Sequence, residues 1–99
     1  MADSILVAED ERASGEYLKL LLEEMGFEVR LVGNGVEALL ALEARSFDLL
    51  ITDLRMPSMD GFELLTHLGQ RWPGLPAIVL SANEEPQDVI DAVLSLIHI

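Results

Sequence analysis

The chain contains no cysteine, which excludes a disulfide framework and a thiolate metal site and agrees with a reducing compartment. Basic residues are scarce: 6 Lys and Arg stand against 18 Asp and Glu, a formal net charge of -12. A surface of that sign repels nucleic acid and anionic lipid, so direct binding to either is not expected of this segment. Most such charge is solvated surface. The informative carboxylates are those that the fold gathers in one place. No long apolar run occurs, and the opening Met1-Ala2-Asp3-Ser4 carries no basic residue. Neither a membrane span nor a signal peptide is read, and the cytoplasm is the expected location. Repeats, linkers and low-complexity segments are missing too.

What is present suits a single packed domain. Across 99 residues, 51% are hydrophobic and 24% charged, a mix that supports a core but leaves little room for a second domain. Ile5-Leu6-Val7-Ala8 is a short continuous apolar run, as in a strand buried on both faces. A helix is predicted from about Arg12 to Met25, with Tyr17, Leu18, Leu21, Leu22 and Met25 at spacings of three and four. Gly26 ends it. From Phe27 to Val32, Val29 and Leu31 alternate with Glu28 and Arg30, which reads as an edge strand with one wetter face. Gly33-Asn34-Gly35 would permit a hairpin, but the helix formers from Val36 to Ala44 make it the turn into a second helix.

A third strand is predicted over Asp48 to Thr52, with Asp53 at its C-terminal end. Asp60-Gly61 opens a third helix through about Gln70, with Phe62, Leu65 and Leu68 on one face. After the Trp72-Pro73-Gly74 loop comes a fourth strand, Ala77 to Leu80, ending at Ser81. Pro86 suits a first helical turn and starts a fourth helix through Val93. Strands alternating with helices predict an α/β fold, a parallel sheet covered on both faces. In such sheets ligands bind beyond the carboxyl ends of the strands.

Those ends carry the chemistry. Strand one leads into Glu9 and Asp10, strand three into Asp53, and strand four into Ser81. Carboxylates gathered there raise one another's pKa values, a conflict that a hard divalent cation resolves. All-oxygen ligation favours Mg2+ over zinc. An aspartate beside such a cation can act as nucleophile toward a phosphoryl group.

Four stretches in register sharpen this. Ile5 to Glu11, Asn34 to Leu39, Asp48 to Gly61 and Ile78 to Ala82 resemble the receiver domain of bacterial response regulators, the CheY-like two-component family. The most specific stretch is Asp53-Leu54-Arg55-Met56-Pro57-Ser58-Met59-Asp60-Gly61. The resemblance implies a flavodoxin-like doubly wound sheet of strand order 2-1-3-4. It also implies Asp53 as phosphoacceptor. Glu9, Asp10, Asp53 and the backbone carbonyl of Arg55 would hold Mg2+. Ser81 would bond a phosphoryl oxygen and swing inward on activation, with small Ala82 leaving room beside the phosphate. The implied partners are a sensor histidine kinase or phosphotransfer protein as donor, and an output domain or target protein as recipient of the signal. The domain would be substrate and switch rather than enzyme.

Structural readings stand beside these. Glu9 and Asp10 also suit capping of the first helix, Asp53 suits a loop cap, and Ser81 is an ordinary turn residue. Met56-Pro57 reads as loop-shaping, His67 as a half-buried or surface histidine, and Trp72 as packing. The chain departs from the family where a fifth strand with its lysine, and a fifth helix, are expected. Lys19 is the sole lysine and falls in the first helix, so the phosphate would lack its ammonium partner. Without those elements one sheet face loses a covering helix and strand four becomes an open edge. Residues 94–99, Leu-Ser-Leu-Ile-His-Ile, resemble one reading frame of a transposon-end adapter used in preparing sequencing libraries. The receiver is therefore assigned to residues 1–93 and the remainder to a non-native tail. Two other functions compete: a receiver-like interaction module that works without phosphorylation, and an aspartate-dependent phosphatase. The latter resembles Asp-x-Asp, whereas Arg55 stands two residues after Asp53 and supplies no general acid.

Overall fold

Strand β1 (Ser4–Ala8) has no wet face: Ile5, Leu6, Val7 and Ala8 are all fully buried, as befits a strand covered from both sides. It lies inside a sheet of order β2-β1-β3-β4, with β2 at Glu28–Val32, β3 at Leu49–Asp53 and β4 at Ala77–Leu80. Every pairing is parallel. The parallel sheet is the one the sequence pattern predicts, and its order is the one the family resemblance implies. This computed structural model describes residues 3–56, 58–80 and 85–97. Ser81 and Ala82 lie outside the described residues.

Side chains on the two inner strands sort by parity. Ile5, Val7, Leu49 and Ile51 point to one face, where they meet Leu18 and Leu22 of α1 (Arg12–Glu24) and Val89 and Val93 of α4 (Pro86–Ile97). Leu6, Ala8 and Leu50 point to the other, against Ala38 and Leu42 of α2 (Gly35–Ala44) and Leu64 and Leu68 of α3 (Gly61–Arg71). Strand β2 keeps the predicted alternation, with Glu28 and Arg30 exposed and Val32 buried.

The face that carries α1 is also covered by α4, which packs there through Val89 and Val93. Three expectations are corrected. Helix α4 continues to Ile97 rather than stopping at Val93; nothing in Leu94-Ser95-Leu96 opposes helix. Helix α1 buries Gly15, Leu18 and Leu22, while Tyr17 is 54% and Met25 38% exposed. Helix α3 buries Gly61, Leu64 and Leu68, leaving Phe62 64% exposed. In both helices a glycine belongs to the buried stripe and lets the sheet approach. The stripe is thereby rotated away from the one that large apolar residues alone suggest.

Caps fix where helices begin. Asn34 accepts a 2.8 Å bond from the Glu37 N–H, and Glu37 Oε1 accepts from the Gly33 N–H, so the Gly33-Asn34-Gly35 turn starts α2 and no hairpin forms. Asp60 caps α3 in the same way through the Glu63 N–H at 2.9 Å. Gly26 (φ 97°) follows α1 in the left-handed region, the usual helix end for glycine. Leu50 is fully buried on the central strand. Leu50→Ala is expected to lower unfolding free energy by about 2–5 kcal/mol, read as a lower denaturant midpoint with unchanged slope.

Candidate functional site

The sheet register brings the acidic ends of β1 and β3 together. Ala8 pairs with Thr52, so Glu9 and Asp53, each one residue further on, leave the sheet side by side. The Glu9 N–H still bonds the Val32 carbonyl at 3.0 Å, which extends β1 by one residue and fixes where its side chain starts. Thr52, fully buried, donates its hydroxyl to the Asp53 carbonyl at 2.9 Å. Glu9, Asp10 and Asp53 each offer a carboxylate oxygen, and these oxygens all lie within 4.8 Å of one another.

Capping does not account for the cluster. The residue before α1 is Glu11, whose side chain makes no cap hydrogen bond. Glu9 Oε2 does accept from the Glu11 N–H at 3.2 Å, while Asp10 is exposed and brings a carboxylate oxygen to the cluster. Glu9 bears the electrostatic consequence. Burial first, then contact with Asp53 and Asp10, together push its carboxyl from 4.5 up to about 7, against the Glu11 N–H that favours the anion. Burial is the largest single cause, ahead of the mutual repulsion that the sequence suggests.

Backbone hydrogen bonds tie the β3–α3 connection to its neighbours beside this cluster. The Arg55 N–H faces Asp53 Oδ1 at 3.4 Å, so the Arg55 backbone runs along the carboxylate. The Gly61 N–H bonds the Leu54 carbonyl at 3.0 Å, and the Gly35 N–H bonds the Met59 carbonyl at 3.1 Å, fastening the loop to α3 and α2. Ser58 has φ 69°, a left-handed conformation that costs a non-glycine residue about 1–2 kcal/mol. Met56 packs against the core between α2 and α3, in keeping with a loop-shaping role; Pro57 lies outside the described residues. A cleft of about 700 Å³ opens beside the cluster, lined by Glu9, Asp53, Arg55, Tyr17, Leu80 and Pro86 among others.

Three residues weighed from sequence fall elsewhere. His67 is half-buried on α3, and Trp72 caps that helix under Arg71, whose guanidinium carbon is 4.5 Å from the ring centroid. Lys19 lines a shallow depression with Glu16, Leu20 and Glu23 on α1. Among the described residues no lysine lines the cleft. Gly61, read from sequence only as the start of α3 and the end of the motif, is buried against the Asp53–Leu54 backbone, a contact that glycine announces by no apolar signal.

The donor set fits a small hard cation. Oxygen ligands about 2.1 Å from Mg2+ in an octahedron lie about 3–4.2 Å apart, slightly inside the spread of the three carboxylates, and among the described residues the cluster contains no histidine or cysteine.

Residues 5–96 match the response regulator receiver domain family. Over 85 residues the chain is 40% identical to Sensor protein EvgS of Escherichia coli K12, covering 86% of this chain and 7% of that protein. The chain therefore spans a small part of that relative. A receiver domain of a signal transduction histidine kinase from Syntrophus aciditrophicus is 37% identical, with TM-score 0.79 over 93% of this chain and 71% of that one. The response regulator TrrA of Thermotoga maritima, solved in complex with Mg2+ and BeF, is 26% identical, with TM-score 0.83 over 96% of this chain and 99% of that one.

Proposed function

Since the chain belongs to the response regulator receiver domain family of two-component signalling, we propose that Asp53 is its phosphoacceptor and that Glu9, Asp10, Asp53 and the Arg55 carbonyl hold Mg2+. One observation carries this: three carboxylates from two neighbouring strand ends converge within 4.8 Å, beside an open cleft. Bound there, Mg2+ would neutralise charge building on the transferring phosphoryl oxygens. The residues do the rest. An Asp53 carboxylate oxygen attacks phosphorus, the O–P bond forms as the N–P bond of a phosphohistidine breaks, and the nitrogen keeps the electron pair. The Arg55 N–H orients the attacking carboxylate.

The donor in this reading is a sensor histidine kinase or a phosphotransfer protein, a view supported by similarity to a sensor protein and to a kinase receiver domain. An output domain or target protein then reads the phosphorylated state. The domain is a switch rather than an enzyme, working in the cytoplasm. Among the described residues no helix is long and apolar enough to cross a membrane. Ser81 and Ala82 complete the phosphate pocket in this proposal, by their positions after β4.

The test is direct. Incubated with Mg2+ and acetyl phosphate, the chain should gain one phosphoryl group by intact mass, and excess chelator should prevent it. A phosphorylation-independent interaction module would show no gain under either condition.

A further inference from the structure

We propose that Gly61 is a positioning residue for the acceptor site: its missing side chain lets the first turn of α3 seat against the backbone of Asp53 and fix the plane of the Leu54–Arg55 peptide. This rests on the reading of Asp53 as phosphoacceptor. A Cβ at Gly61 would stand 2.3 Å from the Asp53 carbonyl oxygen, 2.8 Å from Leu54 Cα and 3.1 Å from the Asp53 carbonyl carbon. All three neighbours are backbone, so no flexible side-chain tip can yield.

The same residue holds that backbone by hydrogen bonding. The Gly61 N–H donates to the Leu54 carbonyl at 3.0 Å. That carbonyl and the Arg55 N–H belong to one planar trans peptide unit. Gripping the plane at its oxygen aims its N–H at Asp53 Oδ1, 3.4 Å away.

Where the clash must resolve is also determined. Strand β3 is paired on both sides, Thr52 with Ala8 and with Val79, and Asp53 with Leu80. Helix α3 is anchored by buried Leu64 and Leu68 and by the Asp60 cap. The segment free to give is the short run from the Asp53 carbonyl to Arg55, which carries the carboxylate and the proposed carbonyl ligand. The strain therefore falls on the site and not on the core.

Gly69 supplies a control within the same helix, because nothing lies within 4 Å of a Cβ there. Gly69→Ala adds a methyl to an exposed helical position and favours the helix. Wild type, G61A, G69A and the double variant would be compared by thermal melting, Mg2+ titration calorimetry, acetyl phosphate labelling and amide NMR shifts without metal. Expected for G61A is a cooperative fold with displaced Asp53 and Arg55 amides, at least tenfold weaker Mg2+ binding and at least tenfold slower labelling. G69A should stay within twofold of wild type in both. Mg2+ affinity and labelling within twofold of wild type in G61A would overturn the proposal. So would loss of the fold in both G61A and the G69A-stabilised double variant, since the cost would then lie in the core. If wild type itself takes neither Mg2+ nor phosphoryl group, the reading of the site fails, and the metal-free Asp53 and Arg55 shifts still decide the role of Gly61.

Discussion

Asp53→Asn is expected to leave a folded chain that takes no phosphoryl group, with labelling below about 1% of wild type. The amide is nearly isosteric with the carboxylate but has no anionic oxygen to attack phosphorus, so the loss is of chemistry. Stability should not fall. Asp53 is half-buried and its carboxylate crowds Glu9, whose carboxyl it helps to raise; removing that charge relieves repulsion. The Arg55 N–H that faces Asp53 Oδ1 finds an amide oxygen in its place. Intact mass after acetyl phosphate treatment, beside a thermal melt of the same sample, checks both halves. Asp10→Asn forms the useful contrast: it weakens Mg2+ binding while leaving the nucleophile, so labelling should return as Mg2+ is raised. Undiminished labelling of Asp53→Asn would remove the basis for the whole assignment.

The strands and the site were legible because their signals are local. A continuous run such as Ile5 to Ala8 can be satisfied only by burial on both faces, and a parallel sheet sends every strand end to one edge. That places Glu9, Asp10 and Asp53 at one edge, and the strand order implied by the family resemblance makes them neighbours; their carboxylate oxygens lie within 4.8 Å of one another. Helix faces were less legible. Helices α1, α2 and α3 bury Gly15, Leu18 and Leu22, then Gly35, Ala38 and Leu42, then Gly61, Leu64 and Leu68, the same spacing of three and four from a leading glycine. A hydropathy reading gives glycine no weight, so Tyr17, Met25 and Phe62 drew the stripe toward solvent. Contact explains the glycines: a Cβ would come within 2.8 Å of Leu31 Cδ1 at Gly15 and within 2.4 Å of the Met59 carbonyl at Gly35. The side of the sheet taken by α4 was hidden for another reason. Val89 and Val93, four apart, announce one buried stripe but carry no information about which face receives it.

Mg2+ binding is expected to weaken about tenfold between pH 8 and pH 6, and Glu9 is the reason. Its carboxyl titrates near 7 in the folded chain against an ordinary 4.5, raised first by burial and then by Asp53 and Asp10. Between those values the native state holds a proton that the unfolded chain has released. The metal-free fold therefore gains a stabilising contribution that is fully present below about pH 4.5 and is lost as the pH rises through about 7. Cation binding works the other way, because it needs the anion and must expel the proton. Below pH 7 each unit of acidification then costs up to about tenfold in apparent affinity, and above it the dependence levels off. Ligand stabilisation follows affinity, so the melting temperature should fall from pH 5 to pH 7.5 without metal and flatten or rise over the same range in excess Mg2+. Glu9→Gln removes the titrating group and should abolish the opposition between the two slopes. Calorimetric titration at pH 6, 7 and 8 reads the effect directly. A dissociation constant unchanged across that range would mean that Glu9 carries no proton for Mg2+ to displace.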